Sequence, residues 1–289
     1  MIQVNQISSF DRPELEPYRT MRRQLEHRQQ GIFVAEGAKV VSRLLESRFG
    51  VTSVLLPEKW LQELKTILEA RPEPIQVFVA NKNLLETLTG FSMYQGLLAV
   101  GKIPPQTPLE DLLAKGTRPH LLVAVDGLSS AENVGSLVRN CAAFNVQALI
   151  TGETCASPFL RRAVRSSMGA IFQLPVFESS GLVRSLQTLR SKGIRCVAAH
   201  PHAAGCTLPE ADLQADSCLV FGSEGFGISP DVLGACDLSV VVPMPEQVDS
   251  LNVSSAAAVF LYETNRQRGF RIEAAENPPS PPPKVSEPE

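Results

Sequence analysis

The 289 residues are 44% hydrophobic and 20% charged and carry a formal net charge of −3. That composition belongs to a globular chain and excludes collagen-like, disulfide-stapled and wholly disordered classes, while the length leaves room for two domains. The charge at first speaks against a nucleic-acid partner, but it is unevenly placed. Residues 1–104 hold 13 basic and 11 acidic side chains, residues 105–271 hold 13 and 15, and residues 272–289 hold 1 and 4. The last segment alone equals the whole imbalance. It also holds 6 of the 22 prolines, so a disordered, acidic, Pro-rich tail is expected there.

The first ordered unit is expected over residues 1–103. Near its start Arg19, Arg22, Arg23, His27 and Arg28 form a basic run, which is more often a solvated helical face than an RNA contact. From Gly31 the chain alternates β-rich runs (IFVAE, VTSVLLP, IQVFVA, GLLAVGK) with helical patterns (AKVVSRLLES, EKWLQELKTILEA, NKNLLETLTG), which predicts a small α/β unit. In the helix over 38–47, Val40, Val41, Leu44 and Leu45 make one apolar stripe. Residues 104–119, with Pro104, Pro105, Pro108 and Pro119 around LEDLLAK, read as a linker.

A second unit is expected over 120–271. It opens with the strand LLVAVDGL, followed by a helix over 133–145 whose Val134, Leu137, Val138, Cys141 and Ala142 share one face. Further strands are predicted over 146–151, 171–177, 195–200, 218–222 and 238–244, and helices over 158–166, 180–192, 229–236 and 253–268. Apolar strands alternating with helices predict an α/β fold with a mostly parallel sheet covered by helices on both faces. The six cysteines contain no C-x-x-C pair and offer neither a disulfide nor a zinc framework, so reduced thiols are expected. The longest unbroken apolar run, 256–262, is far shorter than the roughly 20 residues of a membrane span, and no signal-peptide pattern opens the chain. A cytoplasmic protein is the expectation.

In an open parallel sheet ligands bind beyond the carboxyl ends of the strands. Three polar clusters fall there: SSAENVGSLVR, GSEGFG and PMPEQVDSLNVS. The second has neither the spacing nor the position of a dinucleotide fingerprint, which disfavours a nicotinamide enzyme, and no phosphate-cradling G-x-x-x-x-G-K-[ST] occurs. His200 and His202 flank Pro201 without further metal ligands nearby, so a surface loop is the better reading and no metal is expected. Singly, each polar residue has an ordinary alternative. Asn252, Ser250 or Ser254 is equally an N-cap, Arg139 a solvated arginine, and Glu224 a turn residue.

Together, in this order, the clusters resemble the SpoU/TrmH family of RNA ribose 2′-O-methyltransferases. The resemblance rests on Asn133, Gly135 and Arg139 as N-x-G-x-x-x-R, on Gly222, Glu224, Gly225 and Gly227 as G-x-E-G-x-G, and on Pro243, Met244, Ser250, Leu251, Asn252 and Ser254 as P-M with S-L-N-x-S. RSSMGA, with Ser167 and Gly169, looks like the family's S-x-G-A segment, and FVAEGAKVV and YQGLLAV look like its ribosomal-protein-like substrate-binding domain. The resemblance implies a C-terminal trefoil knot, a homodimer with the RNA site across its interface, and S-adenosylmethionine as cofactor, held by Gly222, Val242, Met244 and Leu251. It implies Arg139, Asn133, Glu224, Ser250 and Asn252 as the catalytic constellation, with Ser167 as a weaker member. Gly135, one turn before Arg139, is expected to leave space for substrate. Phosphate contacts are expected from Arg139, Arg161, Arg162, Arg165 and the arginines between 19 and 28, giving modest, salt-sensitive RNA affinity. Ribosomal RNA is the expected substrate, with tRNA second; the alternative is an RNA-binding assembly factor without chemistry. Pro245, Glu246 and Gln247 depart from the family pattern, where glycine is common, and bear on the cofactor loop.

Overall fold

The computed structural model describes residues 2–89, 96–202, 206–245 and 247–270; Glu246 and the acidic tail lie outside them. The first part of the chain runs β1 (Ile2–Gln6), α1 (Glu16–Arg19), α2 (Gln24–Gln29), β2 (Ile32–Glu36), α3 (Ala38–Glu46), β3 (Val51–Leu56), α4 (Glu58–Glu69), β4 (Ile75–Val79), α5 (Lys82–Thr89) and β5 (Leu98–Lys102). Its five strands form one sheet in the order β1-β4-β3-β5-β2. Strands β1, β4 and β3 are parallel, while β5 enters antiparallel to both β3 and β2. Strand β1 is not among the expected elements. It lies at the sheet edge, and its polar IQVNQ run leaves most side chains exposed or half-buried, so it lacks the apolar signal of an inner strand. Helix α3 buries the predicted stripe Val40, Val41, Leu44 and Leu45.

The second part holds α6 (Leu109–Lys115), β6 (Leu121–Val125), α7 (Ala131–Ala143), β7 (Ala148–Thr151), α8 (Arg161–Ser166), β8 (Val176–Glu178), α9 (Leu182–Ser191), β9 (Arg195–Ala199), β10 (Ser217–Phe221), α10 (Pro230–Gly234), β11 (Leu238–Val240) and α11 (Val253–Gln267). Six strands form a wholly parallel sheet in the order β11-β9-β10-β6-β7-β8. The period of two decides which face each residue of β6 covers. Leu121, Val123 and Val125 join a core with α7 and α11, whereas Leu122 and Ala124 join another with α6, α9 and α10. Helix α6, from the Pro-rich stretch, therefore packs on this sheet through Leu109 and Leu113. Among the described residues no helix is long and apolar enough to cross a membrane.

Two predicted strands are shorter than their apolar runs. Of 171–177 only Val176 and Phe177 pair, in a strand that runs on to Glu178, because the left-handed Gly169 (φ 83°) leads into a 3-10 turn over Ala170–Phe172 that carries Ile171 and Phe172 into the core. Strand β11 ends at Val240, and Val241 makes only an isolated bridge to Thr207; Pro243 and Pro245, which lack the N–H a ladder needs, follow at once.

The two sheets meet at an aromatic seam. Phe33 of β2 lies 5.7 Å from Phe172 and 5.9 Å from Phe159, and Phe49 packs edge-on to Phe172 at 5.5 Å. Polar contacts flank the seam: Glu36 accepts hydrogen bonds from Arg161 and, at 3.0 Å, from Arg165; Arg43 donates to the Met168 carbonyl at 2.6 Å; and Arg28 pairs with Glu178 at 2.6 Å.

Candidate active site

At the carboxyl ends of β9, β10 and β11 the chain encloses a cleft of about 340 Å³. This is within the roughly 300–1,000 Å³ of small-molecule sites. Gly222, Val242, Met244 and Leu251, the four positions expected to hold a cofactor, all line it, as do Glu224 and Ser250. Its inner wall is apolar, built from Phe221, Ile228, Val240, Val253 and Phe260, so it suits a flat ring with main-chain hydrogen-bond partners at its edge. Gly222 sits where the loop doubles back on itself. A Cβ there would stand 2.1 Å from the Gly227 carbonyl carbon, so only glycine lets the two segments cross. These residues fit a nucleoside-type cofactor.

Beside the cleft the three motifs converge on one carboxylate. Glu224 Oε1 accepts from Asn133 Nδ2 and from Asn252 Nδ2, each at 2.6 Å, and Asn252 Nδ2 lies 3.4 Å from Asn133 Oδ1. Asn252 also caps α11, its Oδ1 accepting from the Ser254 N–H at 3.0 Å and the Ser254 hydroxyl at 2.6 Å. Capping and site-building are thus one arrangement, not alternatives. Asn133 lies in the first turn of α7, whose N-cap is Ser130, so Glu224 is held by side chains from the N-terminal ends of two helices. Asn140 Nδ2 donates to the Ser254 carbonyl at 2.6 Å and ties α7 to α11 directly.

The Arg139 side chain is exposed, does not line the cleft, and has no hydrogen-bond or ion-pair partner among the described residues. Three expectations need correction. Gly135 leaves no space for substrate: it is buried where α7 crosses α8, and a Cβ would stand 2.1 Å from Ser166 Oγ and 2.2 Å from the Ala163 carbonyl oxygen. Ser167 is outside the site as well. It is fully buried, donates to the Val164 carbonyl at 2.8 Å and accepts from the Gly169 N–H at 3.2 Å, shaping the turn that docks against α3. Most of the arginines expected on phosphates are engaged in the protein: Arg161 and Arg165 with Glu36, Arg162 with Glu132 at 3.3 Å, Arg28 with Glu178 and Arg23 with Glu26.

Sequence reasoning overlooked Asp249 and Phe226 as cleft residues, and His200 and His202, set aside together as a surface loop, line the cleft too. His200 was findable, since it directly follows β9 at the ligand-binding edge of the sheet. Among the described residues no group of three or more His, Cys, Asp or Glu side chains is arranged to hold a metal ion.

Comparison with known proteins accords with this geometry. The model of the SpoU rRNA methylase family matches residues 120–262. The chain is 33% identical over 272 residues, 92% of its own length and 93% of the other's, to an uncharacterised tRNA/rRNA methyltransferase of Mycobacterium bovis. It is 32% identical over 207 residues, 71% of this chain and 79% of the relative, to the 23S rRNA (guanosine-2′-O-)-methyltransferase RlmB of Nitrosomonas europaea. The fold superposes on the SpoU methyltransferase AviRb of Streptomyces viridochromogenes in complex with AdoMet with a TM-score of 0.77 at 26% identity, covering 89% of this chain and 98% of that one.

Proposed function

This chain belongs to the SpoU rRNA methylase family of RNA methyltransferases, and we propose that it transfers the methyl group of S-adenosylmethionine to the ribose 2′-OH of one nucleotide in structured RNA. Ribosomal RNA is the preferred substrate, with tRNA second, in keeping with the 23S rRNA activity named for the Nitrosomonas relative. The observation that carries this reading is the single carboxylate, Glu224, that joins the three motifs at the rim of a cleft lined by Gly222, Val242, Met244 and Leu251.

The cofactor, when bound, supplies a methyl already activated on a sulfonium. What remains for the protein is to bind, orient and manage one proton. The cleft walls at Gly222, Val242 and Leu251 would take the cofactor's adenosine part, with Met244 beside it. Glu224 fixes the Asn133 and Asn252 amides before substrate arrives, so these hydrogen-bonding groups need no reorganisation as the ribose hydroxyl is aligned. Ser250, on the cleft wall, supplies a further hydroxyl. The role of the Arg139 guanidinium is to position an RNA phosphate and to stabilise the alkoxide that develops as the 2′-OH passes its proton to water.

Arg139 stands outside the cleft of its own chain, so the complete site is assigned to a homodimer, with RNA lying across the interface. Exposed Val259 and Tyr262, one turn apart on α11, supply an apolar stripe of the kind a second copy covers. The segment carrying the second and third motifs is assigned a trefoil knot, with the cofactor cleft at its heart.

Mapping 2′-O-methylation across rRNA and tRNA from cells with and without the gene tests the reading. Loss of a single site on deletion is expected and names the substrate; an unchanged map overturns methyl transfer in favour of a non-catalytic assembly factor. Arg139→Ala is expected to lower turnover by roughly 100-fold or more while S-adenosylmethionine still binds, and turnover at the wild-type rate refutes the role given to Arg139.

A further inference from the structure

Among the described residues Phe226 is the one large hydrophobic side chain that the fold presents almost whole to solvent: it is 98% exposed, against 52% for the next, Tyr262. It does not hang from a loose loop. The Ser223 N–H donates to the Gly227 carbonyl at 2.9 Å, the Gly227 N–H returns to Ser223 at 3.0 Å, and the Phe226 N–H donates to Ser223 Oγ at 3.1 Å. The ring is therefore held at the tip of a closed hairpin. Its neighbours Gly225 and Gly227 have no side chain to lay over it, and at 98% exposure both faces of the ring stand open.

We propose that Phe226 is a stacking platform for a nucleobase of the RNA substrate, at or next to the methylated nucleotide; this rests on the RNA methyltransferase reading above. The ring lines the mouth of the cleft, and Glu224, two residues earlier on the same hairpin, holds Asn133 and Asn252. A base resting on Phe226 is thereby registered against the groups that align its ribose. Proteins read unpaired RNA by splaying bases onto aromatic faces, and such stacking tolerates any base because each has a π-face. The surroundings favour this occupant over a protein surface. A protein partner needs a contiguous apolar patch, whereas this hairpin offers one ring among Ser223, Glu224 and two glycines. A ring so exposed is also no wall of a buried cofactor pocket.

The test uses the full chain as wild type, Phe226→Ala, Phe226→Leu and Phe226→Tyr, with a single-stranded decanucleotide RNA and rRNA from cells lacking the gene as probes. Filter binding of the decanucleotide, methyl transfer to the rRNA, calorimetry with S-adenosylmethionine and sedimentation velocity are measured for each. Expected are an approximately tenfold loss of RNA affinity and a matching rise in RNA KM for the Ala and Leu variants, the scale of one lost stack. Phe226→Tyr should stay within about twofold, and cofactor affinity and sedimentation should not change in any variant. Wild-type RNA binding by Phe226→Leu overturns the proposal, since apolar bulk without a π-face then suffices. Weakened cofactor binding with RNA affinity intact assigns the ring to the cofactor, and a fall in sedimentation assigns it to a second copy; both overturn it. Wild type that binds RNA but methylates none sinks the enzyme reading alone, because filter binding still reports on Phe226.

Discussion

Gly222 and Gly225 belong to the same short motif, yet the structure separates them sharply, and the pair gives the most direct test of how the cleft is built. An alanine methyl at 222 would stand 2.1 Å from the Gly227 carbonyl carbon, 2.3 Å from its oxygen and 2.3 Å from the Ile228 nitrogen. Comfortable carbon–carbon contact begins near 3.5 Å, so the crossing backbone must retreat by roughly 1.4 Å. Backbone cannot rotate away as a side-chain tip can, and overpacking of this kind costs about 1–3 kcal/mol. At about 2–4 °C per kcal/mol for a domain of this size, melting should fall visibly in a thermal scan. The larger effect is functional. A misplacement of about 1 Å in a binding loop reduces productive positioning roughly 100-fold, which calorimetry with S-adenosylmethionine and single-turnover methyl transfer would both register. Gly225→Ala is the control, because its methyl would enter open space and its φ is not positive. It should leave melting and cofactor affinity near wild type. Equal damage from the two substitutions, or none from Gly222→Ala, refutes this account of the cleft.

Other expectations follow from contacts away from the cleft. Removing Glu36 frees Arg161 and Arg165; Glu36→Ala should destabilise the fold by about 2 kcal/mol in urea titration, less than a fully buried pair because Arg165 is largely exposed. The same variant should bind RNA more tightly at low salt, with a salt slope steeper by roughly 1–2, and unchanged salt dependence would show that these arginines cannot reach phosphate. Burial holds the Cys141 thiol well above its ordinary pKa, a hydrogen bond with Cys196 and burial do the same for Cys218, and burial with the neighbouring Cys196 pushes Cys236 up to about 12. In the unfolded chain these thiols ionise near 8.5. Because the folded values are raised, their contribution to stability is complete below about pH 8.5 and is lost as pH climbs toward the folded values; the urea midpoint should fall between pH 8.5 and 10, and a flat profile would contradict it. Ending the chain after Arg271 removes a segment of one basic and four acidic residues; RNA affinity should hold or rise slightly in filter binding, and a loss would give the tail a role.

Much of the fold is legible in the sequence where one physical rule acts alone. The strand β6 and the apolar stripes of α3 and α7 depend only on residue type, period and burial, and they stand where the pattern puts them. Legibility fails where tertiary contacts override local pattern. Ile171 and Phe172 look like strand residues by type, but the aromatic seam with Phe33 claims the Phe172 ring and the chain turns instead. Gly135 shows the limit most plainly: from sequence a glycine one turn from Arg139 suggests room for a ligand, while in space the backbone of α8 occupies that room. Charge is read with similar difficulty, since a sequence counts Arg161 and Arg165 but does not show that Glu36, 125 and 129 residues away, meets both. The three polar clusters were readable because strand ends and the loops between them are placed by the sheet itself, whereas the cofactor positions Gly222, Val242, Met244 and Leu251 came from the family resemblance; the hydrogen bonds of Asn133 and Asn252 to Glu224 join positions 91 and 28 residues apart and are written in no local pattern.

The order of strands in the second sheet also bears on how the chain is made. Strand β6 pairs on one side with β10, matching Leu121 to Ser217 across 96 residues of sequence. At about 5–20 residues per second, synthesis of that interval takes roughly 5–20 s. Throughout it β6 and α7 are present without the strand and the C-terminal helix that cover them, whereas the first sheet, complete by Lys102, has all its strands. Its aromatic edge, with Phe33 and Phe49 ready to receive Phe159 and Phe172, gives the emerging second half a folded surface on which to gather. The seam needs nothing made after Phe172, so its contacts are open to the growing chain while Ser217 of β10 has yet to be added.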